Sequence, residues 1–228
     1  MSGWAEFGVA LAVFFLSHAV PVRPAVKGAI AGRIGARGFT VAYSVLSVAV
    51  LAWLIVAAGR APYVALWYFA PWQAWLALAL MAPACVLVAV ALVSVNPFSF
   101  GGKAGRFDPE APGIAGVSRH PLLLAILLWA VAHLVANGTL AHAVLFGLFA
   151  GFALAGMALL DRRRQREMGR HIWQAKARAT SFLPFAALLS GRWKPRHALP
   201  WRAVVAGLVV YVLLIALHPL VIGPSPLP

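Results

Sequence analysis

The basic residues of this chain cluster in alternate loops between its long apolar stretches. Eighteen of the nineteen Lys and Arg residues lie at the ends that successive apolar stretches would share if the chain crossed a bilayer six times, and only Arg60 lies at the opposite ends. Loops rich in Lys and Arg stay on the cytoplasmic side of a membrane. The pattern therefore predicts an integral membrane protein whose orientation can be read from its loops.

The composition excludes most soluble classes of protein. Hydrophobic residues make up 63% of the chain and charged residues only 11%, whereas a soluble domain carries about 25% charged residues. The net charge of +14 does not indicate a nucleic-acid partner, because the basic residues flank apolar stretches instead of covering a polar domain. Membrane lipids are the expected partner, and five acidic residues are too few to favour paired-carboxylate catalysis.

Six apolar stretches approach the length of about 20 residues that a transmembrane helix requires. The fourth and fifth are separated by three residues only, which predicts a helical hairpin. The expected fold is an all-α, polytopic membrane helix bundle with about six transmembrane helices, in a single integral membrane domain over residues 1–228. The predicted spans cover residues 4–22, 39–59, 72–95, 121–136, 140–160 and 201–222.

The loops give the expected orientation. The three basic loops are assigned to the cytoplasm, which places both termini in the periplasm. Residues 161–200 form the longest of these loops and mix basic with apolar side chains. We expect residues 161–176 to continue the fifth helix, and part of 172–189 to form a cytoplasmic interfacial helix.

Histidines within the predicted spans are candidates for function, because an ionisable side chain inside a bilayer is costly. His18, His120 and His133 are the main candidates, and His142 is a weaker one near the membrane surface. The structural alternative is a neutral imidazole hydrogen-bonded between helices, which stabilises packing by about 0.6 kcal/mol. His120 and His133 are thirteen residues apart on one helix, or about 20 Å, so they mark one face and not one site.

Haem ligation is the functional interpretation of these histidines. Neutral imidazole is an ordinary axial ligand of haem iron, and an apolar helix bundle offers a water-poor pocket. The chain has one cysteine and no C-x-x-C-H string, so the expected cofactor is haem b. Residue counts from the loops match the depths of His18 and His120 better than those of His18 and His133. The arginines expected to pair with haem propionates are Arg23, Arg33 and Arg119.

Six short strings, taken in order, resemble one bacterial family. The strings are Ser17-His18-Ala19, Tyr43-Ser44-Val45-Leu46-Ser47, Ser118-Arg119-His120-Pro121, Trp129-Ala130-Val131-Ala132-His133-Leu134, Asn137-Gly138 and Asp161-Arg162-Arg163. Together they are similar to the NnrU family of membrane proteins, from the first span to about Pro184. That resemblance implies a protein of the bacterial inner membrane that supports denitrification, with a nitrogen-oxide reductase system as an expected partner.

The same strings also resemble the 15-cis-zeta-carotene isomerases, which are haem b membrane enzymes. This resemblance implies axial ligation by His18 and His133 and isomerisation of a lipophilic polyene. It further implies redox gating by a cysteine that competes for the iron. The matching position here is Ala130, so that ligand switch is absent.

Two other classes stay open. The string Arg119-His120-Pro121 before an apolar span, followed by a loop that ends in Phe182-Leu183-Pro184, is similar to the S-adenosylmethionine-dependent isoprenylcysteine and phospholipid methyltransferases. Those enzymes usually carry adjacent acidic residues and tyrosines in the helix that follows. In that helix this chain offers only Glu167 as an acid, and it has Trp173 and Lys176 where tyrosines are expected. The second class is a non-enzymatic accessory protein of a reductase, in which the histidines serve packing alone.

Overall fold

The computed structural model of the protein describes residues 3–101, 103, 105–195 and 200–228. Over these residues the regular structure is α-helical apart from two isolated bridges, which confirms the predicted all-α class. The helices are α1 (Gly3–Ala19), α2 (Pro24–Arg60), α3 (Pro71–Val93), α4 (Ile114–Val117), α5 (Pro121–Ala136), α6 (Leu140–Met168), α7 (Arg170–Ala177), α8 (Ala186–Leu189) and α9 (Trp201–Val221).

Six helices in the described ranges are strongly apolar. The helices α2, α3, α6 and α9 have the length and composition needed to cross a membrane, and α1 and α5 are shorter apolar helices of 17 and 16 residues. Exposed Val, Leu and Phe side chains line the surfaces of several of these helices. Exposed apolar surface on this scale requires an apolar surrounding, and the protein is therefore a polytopic membrane helix bundle.

The chain forms two compact units, and the first comprises Met1–Tyr68 with Gly138–Leu145. In this unit α1 packs against α2, with Phe7 and Leu54 among the buried side chains. The chain near Leu66 is joined to the start of α6, because the Leu66 amide donates to the Gly138 carbonyl at 2.7 Å. Gly138 is required there, since a Cβ atom would overlap the Trp67 backbone.

Helix α2 begins well before the predicted span at residue 39. Pro24 starts it, because proline suits the first turn of a helix, where its missing N–H costs nothing. The helix is interrupted at Gly35, whose φ of 75° lies in the left-handed region. The segment before Gly35 is largely exposed and carries Lys27 and Arg33, so the first basic loop is helical.

The second unit comprises Phe69–Asn137 with Phe146–Pro228. Its helix α3 packs against both α5 and α9. Gly207 permits the close approach of α9, because a Cβ atom there would lie 2.7 Å from the Val86 Cα atom. The apolar core includes Leu87, Val90 and Leu123, and it extends to Ala187 and Trp193 in the loop before α9.

The stretch from Asp161 to Lys176 is divided between two helices, α6 and α7. The expected continuation to Lys176 is wrong at Gly169, where φ is 81° and the helix is interrupted. A glycine in the left-handed region is the usual terminator of a helix. Helix α7 then packs Trp173 and Ala177 against Phe98.

Candidate functional site

A buried ion pair organises the basic end of the second unit. The guanidinium of Arg119 donates to both carboxylate oxygens of Asp161, from Nε at 3.2 and 3.0 Å and from Nη2 at 2.7 Å. The Arg119 and Asp161 side chains are only 10% and 14% exposed. The Nη1 atom of Arg119 donates to Thr180 Oγ1 at 3.2 Å. This two-point geometry fixes the planes of both groups.

His120 uses the same carboxylate. Its Nε2 atom lies 3.0 Å from Asp161 Oδ1, and the residue is 0% exposed. A carboxylate only accepts hydrogen bonds, so Nε2 carries a proton. The Nδ1 atom has no hydrogen-bond partner among the described residues. We refer to Arg119, His120, Asp161 and Thr180 as the Asp161 cluster.

Hydrogen bonds to backbone groups hold the segments around the Asp161 cluster in place. The Arg119 amide donates to the Ser181 carbonyl at 2.8 Å, and the Ser181 amide donates to the Ala115 carbonyl at 3.0 Å. The Ser181 hydroxyl donates to the Gly116 carbonyl at 2.6 Å, while Asn96 Nδ2 donates to the Arg119 carbonyl at 2.9 Å. The cluster is thus held by hydrogen bonds between segments that are distant in the sequence, and not by long flexible side chains alone.

Aromatic rings cover the Arg119 guanidinium. Its Cζ atom lies 5.3 Å from the Trp173 ring centre and 5.7 Å from that of Phe182. The Phe182 ring also meets the His120 ring edge-on at 6.4 Å. The two strings of the methyltransferase-like pattern therefore lie together. Glu167, the acid of that pattern, is instead exposed and paired with Arg163 and Arg164.

His18 lies near the end of α1 in the first unit. Its Nδ1 atom is 2.8 Å from the Phe14 carbonyl, four residues earlier. The Phe14 ring lies against the imidazole at 4.1 Å between ring centres, and the Tyr43 ring meets it edge-on at 6.0 Å. Because a carbonyl only accepts, Nδ1 carries a proton, and in the neutral imidazole the lone pair of His18 is on Nε2.

His133 repeats this arrangement near the end of α5 in the second unit. Its Nδ1 atom is 2.8 Å from the Trp129 carbonyl, again four residues earlier. The Trp129 and Phe146 rings lie 5.2 and 5.1 Å from its imidazole. The lone pair is again on Nε2. Histidines that bind metals commonly donate their second ring N–H to a backbone carbonyl, which fixes the tautomer and the ring orientation.

The other predicted site residues differ in their surroundings. Arg23 precedes α2 and Arg33 lies within it, and both are exposed in the first unit. Arg119 is enclosed and committed to Asp161. Ala130 is 0% exposed on α5. The structure thus brings Arg119 and His120 together, whereas His18 and His133 belong to different units, each with the same kind of backbone partner.

Sequence reasoning missed Asp161 as a site residue. The sequence singles it out only within a family-like string, although it is one of five acidic residues in the chain and directly follows a predicted span. An acid at that position beside three arginines is a usable signal, because an ionised carboxylate at the end of a membrane helix requires a partner. Thr180 and Asn96 carry no comparable signal.

The fold and these sites define a class of protein. It is a polytopic helical membrane protein with a buried Arg-His-Asp cluster, in which His18 and His133 are each bonded to a carbonyl of their own helix. The family model described as NnrU protein matches residues 6–226. That match covers nearly the whole chain, so the chain belongs to the NnrU family.

A curated relative is similar over part of its length. The 15-cis-zeta-carotene isomerase, chloroplastic, of Arabidopsis thaliana is 34% identical over 121 residues, which are 50% of this chain and 32% of the relative. The chain thus matches about a third of that relative's length. No solved structure matches the chain.

Proposed function

We propose that the chain is a haem b membrane protein, with His18 and His133 as the imidazole residues that would ligate the iron, and that it isomerises a lipophilic polyene. The observation that carries this proposal is the shared geometry of the two histidines. Each donates Nδ1–H to the carbonyl four residues earlier at 2.8 Å, which places its lone pair on Nε2. This donor set fits haem iron, which accepts neutral imidazole nitrogen.

His120 fits the iron less well than His18 or His133. Its Nε2 atom is bound to Asp161, and its imidazole is completely enclosed. A porphyrin beside Nδ1 would have to displace the groups that enclose the ring. His120 and His133 also cannot share one iron, because α5 separates them by about 20 Å.

Residues other than the histidines would contribute binding and orientation. Arg23 and Arg33 are exposed cations in the same unit as His18 and suit the propionate carboxylates. The rings of Phe14 and Trp129 lie against the two imidazoles and restrict their rotation. Haem b, when bound, supplies a redox-active iron.

The isomerase activity is proposed from the similarity to the plant enzyme. A lipophilic polyene suits an all-helical membrane protein with few charged residues, since such a substrate resides in the bilayer. The cysteine position implied by that enzyme class is Ala130 here. The chain therefore has no thiolate at the position where the resemblance places the competing ligand.

Ala130 also favours a second candidate, in which the haem protein supports nitrogen-oxide metabolism in the bacterial inner membrane. With no thiolate at this position, only the two imidazoles would compete with a small diatomic ligand for the haem iron. This candidate shares the haem site with the isomerase and differs in the molecule that would react there, a nitrogen oxide instead of a polyene. Deletion of the chain from a denitrifying host would lower nitrite or nitric oxide reduction under this candidate and not under the isomerase candidate.

Absorption spectra of the purified full chain, oxidised and dithionite-reduced, test the haem site. We expect a Soret band with low-spin features that is lost in His18→Ala and His133→Ala and retained in His120→Ala. His218→Ala is the matched control, because the His218 Nδ1 atom is bonded to the Pro224 carbonyl outside the proposed site. A colourless, folded protein from haem-replete cells would overturn the proposal and favour the methyltransferase or accessory class.

Conversion of 15-cis-zeta-carotene in a bacterial host tests the activity separately. The isomer ratio, measured by chromatography, is expected to shift with the wild-type chain and not with His133→Ala. A haem-loaded protein that leaves the ratio unchanged would refute the isomerase and leave the nitrogen-oxide candidate.

A further inference from the structure

Four large apolar side chains are exposed around helix α8 in the second unit. Leu183 is 67% exposed, Phe185 49%, Leu188 39% and Leu189 84%. They fall within seven consecutive positions. Single exposed apolar residues are ordinary, but a group of this size marks a surface that contacts another apolar phase.

The backbone holds these side chains outward. The Phe185 amide donates to the Val117 carbonyl at 2.9 Å, and the Trp193 amide donates to the Ala187 carbonyl at 2.9 Å. Ala187 is completely buried, and its amide donates to the Ser181 hydroxyl at 2.8 Å. The loop is therefore anchored on its inner side, and its apolar side chains cannot turn into the core without breaking these bonds.

Phe185 adopts a strained conformation within this loop. Its φ of 62° lies in the left-handed region, which no other non-glycine residue in the described part of the chain occupies. Strain of this kind persists only where surrounding structure imposes it, and it is often found at functional positions. The strain here places a phenyl ring on the exposed side of α8.

Basic side chains border the exposed apolar group. Arg192 and Lys194 are both exposed. The Nη1 atom of Arg192 donates to the Arg178 carbonyl at 3.0 Å, which fixes its guanidinium close to a further exposed arginine. Arg178 is paired with Glu110. The border thus retains the positive charge of Arg192 and Lys194, which complements an anionic partner.

A membrane helix begins soon after this loop. Trp201 starts α9 and is 67% exposed, with the Arg202 guanidinium over its ring at 5.5 Å. Tryptophan and arginine at the end of a membrane helix lie at the level of the lipid headgroups. Since only six residues separate Lys194 from Trp201 in the sequence, we infer that the loop that carries α8 lies near the membrane surface.

We propose that the exposed apolar group and its basic border form a lipid-binding surface that selects anionic phospholipids. The apolar side chains insert at the boundary of headgroups and acyl chains. The two basic residues bind the headgroup phosphates of anionic lipids, and each adds about fivefold in affinity. This inference is independent of haem and of any reaction. The surface, named the α8 surface, comprises Leu183, Phe185, Leu188, Leu189, Arg192 and Lys194.

Fluorescence quenching by brominated lipids tests the α8 surface in the full chain. Leu189→Cys in a Cys85→Ala background carries a polarity-sensitive dye, and the protein is reconstituted into vesicles of phosphatidylcholine with phosphatidylglycerol. Either lipid is supplied in brominated form. We expect a blue-shifted dye that brominated phosphatidylglycerol quenches several-fold more strongly than brominated phosphatidylcholine does.

Charge variants complete the test. Arg192→Gln with Lys194→Gln is expected to remove the preference for phosphatidylglycerol and to leave the blue shift. Arg60→Gln, an exposed arginine of the first unit, is the matched control and is expected to change neither. If the dye emits as in water and neither brominated lipid quenches it, the α8 surface does not insert into the membrane, and a protein partner is favoured. Equal quenching by both lipids would overturn the selection of anionic lipids.

The lipid that remains with the unlabelled wild-type chain gives a second measurement. Purification from mixed lipid and detergent is expected to enrich phosphatidylglycerol over its bulk fraction, and less so for the double variant. An unchanged ratio for both proteins would contradict the proposal even if the labelled variant were poorly folded.

Discussion

His120 Nε2 lies 3.0 Å from Asp161 Oδ1, although 41 positions separate the two residues in the chain. Arg119 approaches the same carboxylate from the neighbouring position. One carboxylate therefore joins the start of α5 to α6 by two adjacent side chains. Asp161 is the only acidic residue of the Asp161 cluster. Because the side chains of Arg119, His120 and Asp161 are largely removed from water, its carboxylate is the group that compensates the charge of Arg119.

Asp161→Ala tests the contribution of this cluster to stability. Removing one partner of a buried ion pair leaves the other charge uncompensated, which costs about 3–5 kcal/mol. We expect a loss near the lower end of that range, because the two side chains retain 10% and 14% exposure. Unfolding of the detergent-solubilised protein, followed by circular dichroism, measures the free energy.

Glu167→Ala is the matched control for Asp161→Ala. Glu167 accepts hydrogen bonds from Arg163 and Arg164 at 2.7 Å on the exposed side of the same helix. Exposed pairs contribute about 0–1 kcal/mol. Equal losses for the two variants would show that the Asp161 cluster does not stabilise the second unit.

Arg119→Lys tests the planar geometry at constant charge. Lysine cannot donate from two fixed nitrogens to one carboxylate, and it loses the flat contact with Trp173 and Phe182. We expect a loss of about 1.5–3 kcal/mol in the free energy of unfolding, as for a hydrogen bond to a charged group. Arg163→Lys at the exposed pair is expected to change the free energy of unfolding little. If Arg119→Lys also left that free energy unchanged, charge alone would hold the cluster.

The fold class is readable from the sequence because each membrane helix must satisfy its own backbone hydrogen bonds, which makes apolar length a local signal. The bounds of α2 and α6 are less readable. Charged residues set the predicted start of one span at residue 39 and the predicted end of another at residue 160. Helices α2 and α6 extend beyond these limits, because polar residues can continue a helix outside the bilayer. Gly169, which follows α6, is identifiable in principle as a helix-terminating glycine.

The candidate site is predictable only in part. Residue type alone singles out His18, His120 and His133, since histidine is costly in a membrane. The pairing of His120 with Asp161 is not predictable, because it depends on how α6 packs against the start of α5. The carbonyl bonds of His18 and His133 follow from helix geometry, in which position i−4 lies directly below.

Gly116→Ala tests the packing beneath the cluster. A Cβ atom at Gly116 would overlap the indole of Trp193, whose side chain is buried in the core. Overpacking of this kind costs about 1–3 kcal/mol. Gly151→Ala is the matched control, because its Cβ atom would meet nothing within 4 Å. Alanine there is expected to stabilise α6 by about 0.5–1 kcal/mol, and a loss of stability at Gly151 instead would contradict the packing argument.

Cysteine labelling tests the predicted orientation. Tyr68, which is 82% exposed, lies in the loop after Arg60 and is assigned to the periplasm. Arg170 is exposed in the longest basic loop and is assigned to the cytoplasm. In a Cys85→Ala background, a membrane-impermeant thiol reagent added to intact cells is expected to label Tyr68→Cys and not Arg170→Cys. The reverse pattern would refute the orientation, and lysed cells should label both.

Phe185→Gly tests whether strain is stored at the α8 surface. A left-handed conformation costs an ordinary residue about 1–2 kcal/mol, and glycine avoids that cost. We expect the free energy of unfolding in detergent to rise by about 1 kcal/mol, since the greater chain entropy of glycine offsets part of the gain. A Phe185→Gly variant no more stable than wild type in detergent would mean that the strain is absent.

Leu188→Gly is the matched control for the strain at Phe185. Leu188 is exposed within α8, where glycine has no conformational advantage, and its replacement should lower stability by about 1 kcal/mol. The surroundings separate the two effects at Phe185 further. In vesicles that contain phosphatidylglycerol the gain from Phe185→Gly should shrink, because the phenyl ring that glycine removes contacts lipid there. An equal gain in stability in detergent and in vesicles would show that the contact of the ring with lipid does not stabilise the protein. Strain alone would then account for the change.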